Sequence, residues 1–393
     1  MHDNPFYPSF TLRPNQFFGR EDYLVPFESA LFNENSPDIS FILTGTRGCG
    51  KTSLLHQFAI LAQREHMDVI EATSADALER LRDYAGMRGG TTTKQSISPS
   101  LAIGGIGGAS LGEISRTTAS GSEREPDALL GKNLCAKLSR FRLKSGLLVI
   151  IDEAQKISDT SLVTIGNAVQ QAITTDHRVG LILGGLPQCY TKVRAVKSCT
   201  FLHRLKRVNL WCMGVKETIA FLETMFARVP EIGLSEKQVY EAGEFTGGQP
   251  YLMQLFGDAL YVTVSRELNP IDGTVVAVSE DMLRQAERMA LRSYKDNVLD
   301  NVLSGTREMT RRYIRAAYEE RREDGLASTR EIAKRLGMTT REANPVRMYA
   351  LNTQVIQREG RGFVSFALPQ CRYIFEPYEY EERPKPRAER WRY

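Results

Sequence analysis

Cysteine and histidine are scarce: six cysteines, at positions 49, 135, 189, 199, 212 and 371, and five histidines in 393 residues. No two cysteines stand as C-x-x-C, so neither a disulfide framework nor a zinc site is expected. No apolar run approaches the roughly 20 residues that a membrane-spanning helix needs. The first residues lack a basic segment followed by an apolar one, and the expectation is a cytoplasmic protein. The net charge, +4, is too small to announce a nucleic-acid partner by itself. What remains is an ordinary composition, 42% hydrophobic and 25% charged, enough to fill about two or three domain cores.

One stretch organises the rest. Residues 41–45, Phe-Ile-Leu-Thr-Gly, read as a short apolar strand, 46–50 as a glycine-rich turn, and Lys51-Thr52-Ser53 as the start of a helix. From Gly45 to Thr52 the sequence matches G-x-x-x-x-G-K-[ST], the phosphate-binding loop. Glycines at 45, 48 and 50 let the backbone N–H groups of Thr46, Arg47, Gly48, Cys49 and Gly50 converge on phosphate oxygens, and the helix adds the positive end of its dipole. Lys51 is expected to reach the β- and γ-phosphates and the Thr52 hydroxyl to ligate Mg²⁺. Cys49 is read as a small filler of the loop.

About a hundred residues on, Gly146 to Ile151 are followed by Asp152-Glu153. Five consecutive apolar residues suit a strand buried on both faces, with its acids at the carboxyl end, where ligands of open α/β sheets bind. Asp152 is expected to hold Mg²⁺ through its water shell and Glu153 to polarise an attacking water. Further strands are expected at 67–70, 179–187 and 208–212, with helices at 76–84, 126–139 and 159–173 between them. This alternation predicts a mostly parallel sheet covered on both faces. Residues 1–17 are read as an arm packed across a domain surface. The Gly- and Ser-rich stretch 88–125 is read as an inserted hairpin or loop.

From Val215 to about Ser304 the pattern becomes helical only, with Thr246-Gly247-Gly248-Gln249-Pro250 as a loop that starts a helix at its proline. The last unit differs again. A helix at 307–323, the capping boxes Ser328–Glu331 and Thr339–Glu342, two more helices, and a hairpin turning at Gly360-Arg361-Gly362 make a winged helix-turn-helix. From Ser304 onward there are 19 Lys and Arg against 13 Asp and Glu, so this quarter is basic. Arg341, Arg347 and Asn352 are expected to face outward from the third helix, where Pro345 interrupts it. Arg330 and Lys334 would meet phosphates and Arg361 a minor groove. Residues 377–393 read as a charged, disordered tail.

With these pieces in order, the chain resembles an AAA+ ATPase of the branch near the STAND ATPases and the archaeal origin-recognition ATPases, over about residues 18–375. The resemblance implies an α/β P-loop domain at 18–212, a helical lid at 213–303 and a winged helix at 304–376. It also implies that Phe18-Gly19-Arg20-Glu21 lies beside the nucleotide base and that Gly247 to Pro250, with Gly248 and Pro250 in contact, comes from the lid to the same pocket. Arg204, and after it Arg207, stand where such proteins carry a finger or sensor arginine, acting on their own or a neighbour's nucleotide. Two departures appear. Gly184-Gly185 replace a polar sensor at the end of the fourth strand, and the first arginine after Pro250 is Arg266.

The expected function is therefore that of a slow or partner-stimulated ATPase using ATP and Mg²⁺, whose nucleotide state controls binding of double-stranded DNA or assembly. Absence of N-K-x-D favours ATP over GTP. The alternative is a STAND-like, nucleotide-gated scaffold that binds protein partners or itself. A small-molecule phosphotransferase would leave the lid and the last unit without a role.

Overall fold

A computed structural model describes residues 2–8, 17–33, 36–87, 125–140, 146–267 and 275–376. All of the hairpin expected at 88–125 except Glu125, and the tail at 377–393, lie outside the described residues.

The first unit runs α1 (Glu21–Phe32), β1 (Phe41–Gly45), α2 (Lys51–Arg64), β2 (Asp68–Thr73), α3 (Ala77–Tyr84), α4 (Glu125–Leu138), β3 (Leu147–Asp152), α5 (Asp159–Thr174), β4 (Val179–Gly185), α6 (Gln188–Ala195), α7 (Thr200–Arg204) and β5 (Lys206–Leu210). The strands pair in parallel in the order β2-β3-β4-β1-β5. Successive strand residues point to opposite faces, and the core divides accordingly. Leu43, Leu148 and Ile182 pack with Phe27 and Phe58 of α1 and α2. Ile42, Val149 and Leu181 pack with Leu81, Leu130 and Ile165 on the other side. Residues 147–151 are essentially inaccessible to water, which accounts for their unbroken apolar run. The last strand begins two residues earlier than the apolar pattern at 208–212 suggests. It is an edge strand, and the exposed Lys206 and Arg207 are tolerated on it.

The second unit holds α8 (Val215–Phe226), α9 (Glu236–Thr246), α10 (Pro250–Ser265), α11 (Glu280–Tyr294), a π-helical turn at Lys295–Leu299 and α12 (Asp300–Val302). It is not purely helical. Strands β6 (Ile232–Gly233) and β7 (Val276–Ala277) form a two-residue parallel pair, too short to show as periodicity. The N-terminal arm docks here rather than on the sheet: Phe6 is 2% exposed and packs 4.8 Å from the Phe226 ring. A Cβ at Gly257 would come within 2.1 Å of the Phe6 ring, so only glycine lets the arm lie this close to α10.

The third unit consists of α13 (Glu308–Glu319), β8 (Ala327–Ser328), α14 (Thr329–Arg335), α15 (Thr340–Asn352), β9 (Ile356–Glu359) and β10 (Phe363–Phe366), with an antiparallel sheet ordered β8-β10-β9. The capping box at Thr339 forms, its hydroxyl accepting from the Glu342 amide and Glu342 Oε2 from the Thr339 amide. The one expected at Ser328 does not. Ser328 is drawn into the sheet opposite Phe363, and Thr329 donates to the Gly362 carbonyl instead. Pro345 does not interrupt α15. Its ring is exposed while Ala343 and Ala350 hold the helix on the core, so the helix continues with a backbone donor missing.

Candidate functional site

The loop between β1 and α2 leaves the carboxyl edge of the sheet. Gly48 and Gly50 have φ of 76° and 90°, a left-handed conformation that side chains resist. The amides of Gly48, Gly50 and Lys51 have no acceptor among the described residues, so they form a cradle of donors at the start of a 14-residue helix. Lys51 Nζ folds back to the carbonyls of Gly45 and Thr46, at 2.9 and 2.8 Å. Cys49 is fully buried in the core beneath, with Sγ 2.7 Å from where a Cβ at Gly45 would stand.

Because β4 is inserted between β1 and β3, loop and acids straddle one strand, and that strand has to be thin. A Cβ at Gly184 would sit 2.5 Å from Leu55 Cδ1 and 3.4 Å from Asp152 Oδ1, and one at Gly185 would sit 2.4 Å from Gln155 Oε1. The glycines that depart from the polar-sensor pattern thus let Thr52 and Asp152 approach: Thr52 Oγ1 donates to Asp152 Oδ2 at 2.7 Å. Glu153 stands beside them with φ of 52°, its amide donating to Asp152 Oδ1 and its carboxylate paired with Lys156. Gln155, unremarked in the sequence, accepts from the Leu186 amide with its side chain and so joins the end of β4 to the acidic turn.

The second unit reaches the loop from above. Gln249 Nε2 donates to the Arg47 carbonyl at 2.6 Å, and the Tyr251 amide donates to the Gly48 carbonyl at 3.2 Å. Gly248 is needed for this approach, since a Cβ there would stand 2.0 Å from the Met213 carbonyl. Pro250 opens α10 at its first position, and its Cγ would stand 3.8 Å from a Cβ at Gly50. Arg20 is 5% exposed and donates to the carbonyls of Cys49 and Trp211, behind the loop rather than into an open pocket. Ser53 is half-buried in the first turn of α2.

Arg204 is not brought to the loop of its own chain, and Arg207 reaches the residue before it. In the parallel register Phe41 pairs with Lys206, so Arg204, at the end of α7, lies at the amino edge of the sheet, opposite the loop. Five residues of strand, roughly 16 Å, separate the two ends. Arg207 lies within β5 rather than ahead of it. Its Nε donates to Thr44 Oγ1 at 3.1 Å and its guanidinium stacks 5.2 Å over the Tyr190 ring; the side chain stays partly exposed, and the partial burial of its head lowers its pKa.

In the third unit Arg330, Lys334, Arg341 and Arg361 are exposed and make no ion pair among the described residues. Arg347 is half-buried and bonded to Asn344, and Asn352 does not face outward. Together with Tyr349 and Arg307 it lines an open cleft of about 390 Å³, whose other wall includes Arg47 and Gln188 of the first unit. The Arg307 guanidinium lies 4.9 Å over the Tyr349 ring at its rim.

Among the described residues no helix is long and apolar enough to cross a membrane, and no group of three or more His, Cys, Asp and Glu side chains could hold a metal alone. Residues 33–183 match the family model of the AAA domain, and residues 296–373 match a domain of unknown function, DUF8462. No curated protein matches the sequence. Among solved structures the fold is similar to the Walker-type ATPase PABY2304 of Pyrococcus abyssi, with a TM-score of 0.55 and 18% identity over 92% of this chain and 97% of that one. It is also similar to the ORC2 protein of Aeropyrum pernix, solved in ADPNP and ADP complexes, with a TM-score of 0.54 and 12% identity over 93% and 95% of the two chains. Sheet order, loop geometry and these similarities agree that the fold is the α/β P-loop fold of AAA+ proteins.

Proposed function

We propose that the protein binds ATP with Mg²⁺ and hydrolyses it slowly, and that its nucleotide state governs how the last unit binds double-stranded DNA or assembles. The observation that carries the reading is the Thr52–Asp152 bond at 2.7 Å beside a loop in which the amides of Gly48, Gly50 and Lys51 lack acceptors among the described residues. Two hard oxygens at a solvent-accessible position suit Mg²⁺, which prefers one or two protein ligands, water and substrate phosphates to an all-protein cage. Lys51, held by carbonyls, would exchange them for phosphate oxygens. Glu153 would act as the general base, and its pairing with Lys156 would keep turnover slow until a partner separates them. The third unit, read as a winged helix, offers Arg330, Lys334, Arg341 and Arg361 as phosphate contacts. Arg347, withdrawn onto Asn344, is a weaker member of the set.

The test is steady-state ATP hydrolysis with and without duplex DNA, with Glu153→Gln as the blank. Stimulation by DNA supports the reading; a rate at the blank's level under both conditions, with ATP still bound, favours a nucleotide-gated scaffold. One observation lends weight to that second reading: Gly184 and Gly185 leave no side chain of β4 to sense the γ-phosphate. Arg204, at the far edge of the sheet, would then act only on a neighbouring copy, and mixing wild type with Arg204→Ala would expose the assembly by raising or lowering turnover non-linearly.

A further inference from the structure

We propose that Gln249 is a positioning residue of the lid that holds the phosphate loop open to its ligand. The inference rests on the nucleotide-site reading but is separable from it. A glycine loop has many conformations, and those in which its carbonyls point inward would repel phosphate. The loop therefore needs acceptors on its outer side to be engaged while its amides stay free. Gln249 does this: fully buried, it donates through Nε2 to the Arg47 carbonyl at 2.6 Å, one residue from where the Tyr251 amide engages the Gly48 carbonyl. Both bonds engage loop carbonyls from the lid, and the amides of Gly48, Gly50 and Lys51 have no acceptor among the described residues.

The surroundings of Gln249 are closely packed. Tyr294, with no exposure, lies near it, although neither its hydroxyl nor Gln249 Oε1 has a hydrogen-bond partner among the described residues, and Asn297, on the π-helical turn, donates to the Tyr251 hydroxyl at 3.1 Å. π-Turns of this kind concentrate at functional sites. On the far side, Gly247 packs against Pro369, with 2.8 Å between its would-be Cβ and the Pro369 Cβ, and Gln370 donates to the Phe245 carbonyl. The lid loop is thus packed on its far side, and of the side chains it brings to the phosphate loop Gln249 supplies the hydrogen-bond donor, with Pro250 beside it.

Cys49, buried within the loop, reports loop opening without any nucleotide. Gln249→Met keeps the volume and removes the donor. In the nucleotide-free full chain, alkylation of Cys49 located by mass spectrometry should speed up about ten-fold, the worth of a buried hydrogen bond, while Cys189 and Cys199 of the sheet domain keep their wild-type rates. ATP affinity should fall about as much. In Gln249→Glu the buried carboxyl regains a donor only when protonated, so ATP affinity relative to wild type should recover between about pH 8 and pH 6, and that of Gln249→Met should not. An unchanged Cys49 rate, acceleration of all three thiols together, or a pH-independent Gln249→Glu defect would overturn the proposal. If wild type binds no ATP while Cys49 alone accelerates, the nucleotide-site reading fails and the positioning role stands.

Discussion

Lys51 and Glu153 carry the sharpest predictions at the scale of single residues. Lys51→Ala removes two or three charge-assisted bonds to phosphate, each worth about 1.5–3 kcal/mol, so titration calorimetry should show ATP binding weakened at least about 100-fold. Affinity equal to wild type would dismiss the loop as the site. Glu153→Gln should bind ATP normally and turn it over about 10²–10⁴-fold more slowly, the usual worth of a positioned base. Lys156→Ala addresses the restraint on that base. The Lys156–Glu153 pair is half-exposed and salt-screened, so freeing it should raise single-turnover hydrolysis only several-fold, and less at high salt. A fall in rate would show that Lys156 assists instead. The two site carboxylates were legible as a motif because strand burial leaves a recognisable apolar run before them. Gln249 and Gln155 were not, because a lone glutamine in a polar loop has no pattern until the fold shows what it faces.

Among the elements, α10 and the N-terminal arm form one structural unit. Phe6 fills the space over Gly257, and truncating a buried phenylalanine costs about 3–5 kcal/mol, so Phe6→Ala should lower the melting temperature markedly. A shift no larger than that of a surface substitution would mean that the arm does not contribute to the lid's core. The α15 cap is a gentler case. Thr339→Ala loses one reciprocal pair at an exposed helix start, an effect of about 1 kcal/mol on the third unit. The expected capping box at Ser328 had the same sequence signature and failed, since pairing with β10 competed for the residue. Helical continuity through Pro345 has a similar cause, the packing of Ala343 and Ala350 outweighing one lost bond. Short strands such as β6 and β7 leave no periodic trace, and their existence depends on segments more than forty residues apart.

For the whole molecule, the question is whether the proposed nucleotide site and the basic surface of the third unit are coupled. The third unit touches the first across a cleft bounded by Arg47 and Asn352, and it touches the lid through Pro369 and Gln370. A change at the phosphate loop therefore has two physical routes to the basic surface. If DNA is held through phosphates by Arg330, Lys334, Arg341 and Arg361, affinity should fall steeply and linearly on a logarithmic salt axis. Removing any one of the four should flatten the slope by about one unit. Absence of duplex binding at low salt with ATP present would leave the scaffold reading.

The sequence by itself determined the parallel sheet, the phosphate loop and the acidic strand end, because apolar periodicity and glycine placement act over a few neighbouring residues. Only the tertiary structure decided which face each candidate side chain meets. It showed Arg204 at the amino edge of the sheet, Arg207 in the last strand, Asn352 in a cleft, and Gln249 on the Arg47 carbonyl. Those placements depend on strand register and on contacts such as that of Gln249 with Arg47, 202 residues apart, distances over which local pattern carries no information.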